Sequence, residues 1–185
     1  LKLALTDMEE QDRELANTLD SMLMDYPNIL NVDVPDGSDE DENLLIRTYG
    51  DAVLPDFTAQ DHVALGEGLG MMDFAMGAKL SGSRFVVLKG DLSRLERAIA
   101  AFMLDTHTRE FGYTEYQPPY LVKSETMVGT GQLPKFALDL FRTTDDRWLI
   151  PTAEVPLTNL VAGEILEETR LPMRMTAYTP CFRAE

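Results

Sequence analysis

Two short strings in this sequence carry groups suited to holding a small charged substrate. Thr152-Ala153-Glu154 directly follows Trp148-Leu149-Ile150, which reads as a short buried strand. A hydroxyl and a carboxylate at that spacing can hold an ammonium group and a small polar substrate, although Thr and Glu also simply open helices. The second string is Arg183-Ala184-Glu185, after a segment, Met173 to Phe182, that reads as a strand. A spacing of two places Arg183 and Glu185 on one face of a strand, about 7 Å apart. A guanidinium forks onto phosphate or carboxylate, and the neighbouring carboxylate can accept from an amine. The same pair also serves as an ordinary surface ion pair.

Other chemistries find less support. The single cysteine, Cys181, cannot form an intrachain disulfide or a cysteine zinc site, and is expected to be an inert, half-buried thiol. His62 and His107 are far apart and lack a metal-ligand spacing. Gly66-Glu67-Gly68-Leu69-Gly70 begins like a dinucleotide loop, but Met71 and Met72 follow where another glycine is needed, and no strand precedes it. Asp39-Glu40-Asp41-Glu42 lacks the spaced ligands and glycine of a calcium loop and reads as solvated surface.

The elements that must position the two strings differ along the chain. The 185 residues carry a net charge of −16 and are 44 % hydrophobic, which excludes global disorder. No apolar run approaches the ~18 residues of a membrane span. Acidity of this size argues against a general nucleic-acid binder. It is unevenly placed: residues 1–61 hold 16 acidic and 3 basic side chains, so −13 of the −16 lies there. Leu1, Leu5, Met8, Asp12, Leu15, Leu19 and Met22 form a seam at period 3.5, broken once by Asp12. That seam fits a coiled coil or an amphipathic helix. Tyr26-Pro27 stops the helix, and the text to about Asp56 reads as linker.

From Asp61 to about Ala78 the pattern reads as helix, and Arg84–Lys89 as a strand. Ser93-Arg94-Leu95-Glu96 has the form of a capping box opening a helix. Leu95, Ile99, Phe102, Met103 and Thr106 share one face of that helix, His107 lies one step aside, and Gly112 sits where a C′ glycine belongs. Thr114–Val122 is extended, and its twin prolines Pro118-Pro119 confine it to an edge or interface. Gly129–Phe136 reads as a loop entering a helix, and Val155 to about Glu168 as a helix. Irregular alternation of helices and strands without βαβ spacing points to α+β.

Several ordered strings resemble the seryl-tRNA synthetases, a family of class II aminoacyl-tRNA synthetases. They are Leu80–Phe85, Leu95–Ile99, Phe102–His107, Gly112–Glu115 with Pro118–Val122, Gly129–Phe136, Leu149–Asn159, Leu171-Pro172 and Ala177–Glu185. The resemblance implies an α+β fold, an antiparallel sheet flanked by helices and preceded by part of a helical-hairpin arm. It implies three regions: residues 1–26 as the end of the tRNA-binding arm, 27–60 as linker, and 61–185 as the N-terminal half of the catalytic domain. Within the last, motif 1 spans about 94–122 and motif 2 begins at about 173–185.

The resemblance further implies that Thr152, Ala153 and Glu154 bind serine, with Glu154 on the ammonium. Arg183 would clamp the α-phosphate of ATP, and Ala184 and Glu185 would complete the nucleotide contact, Glu185 at the adenine. The implied partners are serine, ATP with Mg2+, tRNA(Ser) and also tRNA(Sec), and a second copy of the chain through motif 1. A cytoplasmic location with no membrane is expected. So is inactivity of these 185 residues alone, because later family motifs lie beyond residue 185. Two other functions stay open: a synthetase-like ligase charging a carrier protein, and a non-catalytic dimerising relative.

Overall fold

A computed structural model describes residues 2–184. Leu1 of the heptad seam and Glu185 of the Arg-x-Glu string lie outside the described residues. The chain divides into two units, Leu1–Asp56 and Phe57–Glu185.

In the first unit, helix α1 covers Lys2–Asp25. Its seam residues Leu5, Met8, Leu15, Leu19 and Met22 are all exposed. Thr18 and Ser21 donate their hydroxyls back to Glu14 and Asn17 carbonyls, at 2.8 and 2.9 Å. After α1 the backbone has no regular structure apart from a 3-10 turn at Glu40–Glu42, whose first turn is entirely acidic. The acidic run is exposed, as a solvated surface requires.

The second unit is α+β. Helix α2 (His62–Gly68) is capped by Asp61, whose carboxylate accepts the Ala64 N–H at 2.8 Å. Strand β1 (Met72–Asp73) and helix α3 (Phe74–Ser81) follow, and Asp73 caps α3 through the Met76 N–H at 2.8 Å. The single helix expected over 61–78 is therefore two, separated at Gly70, which takes φ +66°. Strand β2 is shorter than expected, Val87–Leu88, and pairs antiparallel with β1, Met72 opposite Leu88.

Helix α4 (Asp91–Glu110) starts two residues before the expected capping box. Gly90 is its N-cap, without a side-chain cap bond, so Ser93 and Glu96 lie inside the helix. Its far end agrees with the sequence: Gly112 takes φ +68°, a conformation that costs any residue with a Cβ. The apolar face of α4 stays open. Leu95, Phe102 and Met103 are each more than half exposed, and Ile99 is 44 % exposed. His107 packs edge-on against Tyr113, ring centroids 5.4 Å apart.

The twin prolines divide the segment after α4 into two strands with different partners. Strand β3 (Thr114–Glu115) runs parallel to β6 (Met175–Thr176), with Thr114 opposite Met175. Strand β4 (Leu121–Val122) runs antiparallel to β5 (Trp148–Leu149), with Val122 opposite Trp148. The expected sheet is thus three two-stranded ladders among the described residues, two antiparallel and one parallel. The expected strand over 173–182 pairs as a ladder only at β6. Helix α5 (Ser124–Val128) was not foreseen, and helix α6 (Glu154–Asn159) is shorter than the helix expected over 155–168. No helix among the described residues is long and apolar enough to cross a membrane.

The core gathers where these pieces meet. Val122, Met127, Leu140, Trp148, Ile150 and Val155 form one buried cluster, with Leu133 and Ala137 packed on it. Met127, Ile150 and Val155 are fully buried. The Trp148 indole N–H is satisfied by the Ser124 hydroxyl at 3.0 Å, and the Arg142 guanidinium lies 5.3 Å from the indole centroid. Truncating a fully buried aliphatic side chain costs its transfer energy plus a cavity. Ile150→Ala should therefore lower unfolding stability by about 2–5 kcal/mol. Leu138→Ala, on a side chain 94 % exposed, should change it by less than about 0.5 kcal/mol. Urea unfolding of the two variants checks this; equal effects would show that the core is misplaced.

Candidate active site

Ile150 fixes the site. Its N–H donates to the Tyr120 carbonyl at 2.9 Å, and its carbonyl accepts the Phe182 N–H at 2.9 Å. Three segments distant in sequence therefore run side by side. Two residues beyond Ile150 stands Thr152, and one beyond Phe182 stands Arg183. A second anchor follows, where the Ala184 N–H donates to the Asp139 carbonyl at 2.9 Å. Arg183 is thus held between two backbone bonds.

The result is a cleft of about 330 Å3 with Thr152 and Arg183 both on its wall. Gln132, Phe136 and Asp139 complete its polar and aromatic lining, with Leu140 and Pro151 as apolar floor. Leu140 belongs to the buried core, so the floor is rigid. The cleft offers a guanidinium, a carboxamide, a hydroxyl and a carboxylate. That set fits a ligand with an anionic group and neighbouring polar groups.

The rest of the two strings is placed differently. The Thr152 hydroxyl accepts the Glu154 N–H at 3.4 Å, a local turn that opens α6. Ala153 is the N-cap of α6. Glu154 lines a neighbouring concavity of about 440 Å3, together with Tyr113, Leu157, Met173 and Arg174. Its carboxylate is exposed and makes no hydrogen bond or ion pair with a described residue. Thr152 and Glu154 thus stand side by side at the start of α6, each lining a different concavity. Ala184 contributes through its backbone. Cys181 is exposed rather than half-buried, with its sulfur 3.8 Å from the Thr179 hydroxyl.

Sequence reasoning missed three wall residues, Gln132, Phe136 and Asp139. Gly129–Phe136 does not enter an α-helix; it closes on itself and runs into a 3-10 turn at Ala137–Asp139. The Gly131 N–H donates to Val128, and the Gln132 N–H to buried Met127, both at 2.9 Å. Only a residue without a Cβ fits at 129, because a Cβ there would sit 2.2 Å from the Asn159 amide oxygen. Asn159 is pinned in turn, donating to the Thr126 and Val155 carbonyls at 2.8 Å each. The glycines of Gly-Thr-Gly-Gln were the available signal that a backbone approaches closely here.

Residues 136–185 match the tRNA synthetase class II core domain (G, H, P, S and T). The chain is 58 % identical to the serine–tRNA ligase of Maricaulis maris over 100 % of its own length and 44 % of that protein. It is 63 % identical to that of Acidiphilium cryptum over 93 % of this chain and 40 % of the relative. The fold superposes on the seryl-tRNA synthetase of Pyrococcus horikoshii complexed with ATP at a TM-score of 0.85 and 35 % identity, covering 96 % of this chain and 44 % of that one. A cytoplasmic serine-tRNA ligase from Naegleria fowleri in complex with AMP gives 0.82 at 26 % identity, covering 97 % and 43 %. The fold is that of a class II aminoacyl-tRNA synthetase core. Within that class, the relatives that match the chain over all or nearly all of its length are serine–tRNA ligases. The chain spans about two fifths of the length of the relatives it matches.

The loop that carries Gln132 depends on the Gly129–Asn159 contact. Gly129→Ala should lower stability by about 1–3 kcal/mol through overpacking. Combined with Asn159→Ala, its added cost should fall by at least about 0.5 kcal/mol, because the clashing amide is gone. A double-mutant cycle by chemical denaturation reads this coupling; additive effects would show the contact to be slack.

Proposed function

We propose that this chain forms part of a serine–tRNA ligase, which activates serine with ATP and transfers it to tRNA(Ser) and also to tRNA(Sec). The observation that carries the reading is the shared cleft of Thr152 and Arg183 in a chain whose relatives are serine–tRNA ligases. In activation, a serine carboxylate oxygen attacks the α-phosphorus of ATP, giving seryl-adenylate and pyrophosphate. The terminal ribose hydroxyl of tRNA then takes the seryl group and AMP leaves.

The chemistry asks for positioning and charge stabilisation more than for proton transfer. Arg183 supplies the positive charge against the α-phosphate, where negative charge accumulates as the new bond forms. The Thr152 hydroxyl and the unpaired Glu154 carboxylate hold the serine end, Glu154 taking the ammonium. Ala184 sets the backbone beneath the nucleotide, and Glu185 is assigned to the adenine. A site that hydrogen-bonds the serine hydroxyl rejects alanine, since its polar groups would be left unpaired.

ATP is expected as its Mg2+ complex. Among the described residues, Asp139 is the one carboxylate on the cleft wall, and no group of three or more His, Cys, Asp or Glu converges. The residues present do not fit a protein-built magnesium cage, so the ion is assigned to the nucleotide phosphates.

The same reading assigns residues 1–26 to the tRNA-binding arm, 27–60 to a linker and 61–185 to the first half of a cytoplasmic catalytic domain. The open apolar face of α4 is assigned to the homodimer contact. Supporting it, Leu95, Phe102 and Met103 are exposed in a row at helical spacing. The 185 residues by themselves are expected to be inactive.

Serine-dependent exchange of labelled pyrophosphate into ATP tests the activity in the full-length protein. Arg183→Ala should reduce it at least about 100-fold, the scale for removing a charge-stabilising donor. Undiminished exchange would remove Arg183 from the phosphate. Phe102→Asp should convert a dimer to monomer in sedimentation, and a variant that stays dimeric would move the interface elsewhere.

A further inference from the structure

Beyond the groups assigned above, two polar side chains on the cleft wall, Gln132 and Asp139, make no side-chain hydrogen bond with a described residue, and of the two only the carboxamide can donate to an anion. Gln132 lines the cleft with Thr152 and Arg183. Its carboxamide makes no hydrogen bond with any described residue. Its backbone, in contrast, is fully engaged. The Gln132 N–H donates to Met127 at 2.9 Å, and its carbonyl accepts the Phe136 N–H at 3.0 Å. Met127 is fully buried in the core. Gly131 takes φ +71° immediately before it. The protein thus fixes the Cα of Gln132 and leaves the amide head unpaired. One step earlier, the Thr130 hydroxyl is buried without a partner, so the loop does not satisfy its own polar groups.

We propose that Gln132 contacts the substrate, its amide N–H donating to the serine carboxylate. The inference rests on the function proposed above. Gln132 lines the same cleft as Thr152 and Arg183, and the group that a ligand held by both would place between its serine end and the α-phosphate is the carboxylate aimed at the α-phosphorus. A carboxamide suits this place. It orients an anionic oxygen by donation and leaves its negative charge in place. A carboxylate of the same shape would repel the anion. As the reaction proceeds, one carboxylate oxygen bonds to the α-phosphorus. The bond from that phosphorus to the bridging oxygen of the β-phosphate breaks, and pyrophosphate leaves with the electron pair. The other carboxylate oxygen becomes the acyl carbonyl and keeps the Gln132 donor.

The test is steady-state pyrophosphate exchange in the full-length protein with Gln132→Ala and Gln132→Glu, alongside melting curves. Gln132→Ala should raise the KM for serine by about 10- to 100-fold, the worth of one hydrogen bond to a charged group. The KM for ATP should stay within about twofold, since Arg183 and not Gln132 meets the phosphate. Gln132→Glu, equal in shape, should be worse than Gln132→Ala, and it carries the test if the alanine variant does not fold. An active unsubstituted enzyme whose serine KM is untouched by both variants overturns this inference and leaves the proposed function standing. So does a rise in the KM for ATP alone. An unsubstituted full-length protein without serine-dependent exchange overturns both.

Discussion

One buried peptide unit governs the geometry of the second unit. Ile150 is fully buried, donates to Tyr120 and accepts from Phe182. These two hydrogen bonds join the segment after the twin prolines, the segment before Thr152 and the segment that bears Arg183. Neither Thr152 nor Arg183 is within sequence reach of the other. They share a wall because the buried Ile150 peptide satisfies its donor and its acceptor on the other two segments. The side chain seals the arrangement from below, against Met127 and Val155. An aliphatic residue therefore brings Thr152 and Arg183 to one cleft wall.

The loop after α5 completes the cleft by the same economy of backbone bonds. Met127 accepts from both Gln132 and Leu133, and Asn159 ties the loop to α6. Position 129 admits glycine alone, because the Asn159 amide occupies the space of a Cβ. Core, loop and helix start are therefore one mechanical body, which lets a small site hold its groups in place before a ligand arrives.

What was legible in the sequence follows physical lines. Helices α1 and α4 were readable because their apolar periodicity runs long, and the C′ glycine at 112 marked an end. The capping box at Ser93 misled: Gly90 turns the chain earlier, with φ +63°, and the helix begins at Asp91. Helix α6 stops at Asn159, whose side-chain amide bonds back to the Val155 carbonyl and across to Thr126, a tertiary demand that local pattern does not carry. The strand expected over 173–182 was readable as extended chain, but only its pairing decides which part is ladder. In the candidate site, Thr152 and Arg183 stood out by residue type and spacing, and the family strings supplied their expected roles. Gln132 and Asp139 did not, since nothing in their spacing announces that the fold will bring them to the same wall. The charge was the most misleading single number. Most of it lies in residues 1–61, and the cleft is built wholly from residues of the second unit.

In the function proposed here, serine and the α-phosphate meet on the wall shared by Thr152 and Arg183. A crystal structure of the full-length protein with a non-hydrolysable seryl-adenylate analogue tests it most directly. The linkage that replaces the α-phosphate should lie within hydrogen-bond distance of Arg183, about 2.7–3.2 Å, with the seryl end on the Thr152 side. An analogue bound with its linkage away from Arg183, or outside this cleft, would overturn the proposed roles of both residues.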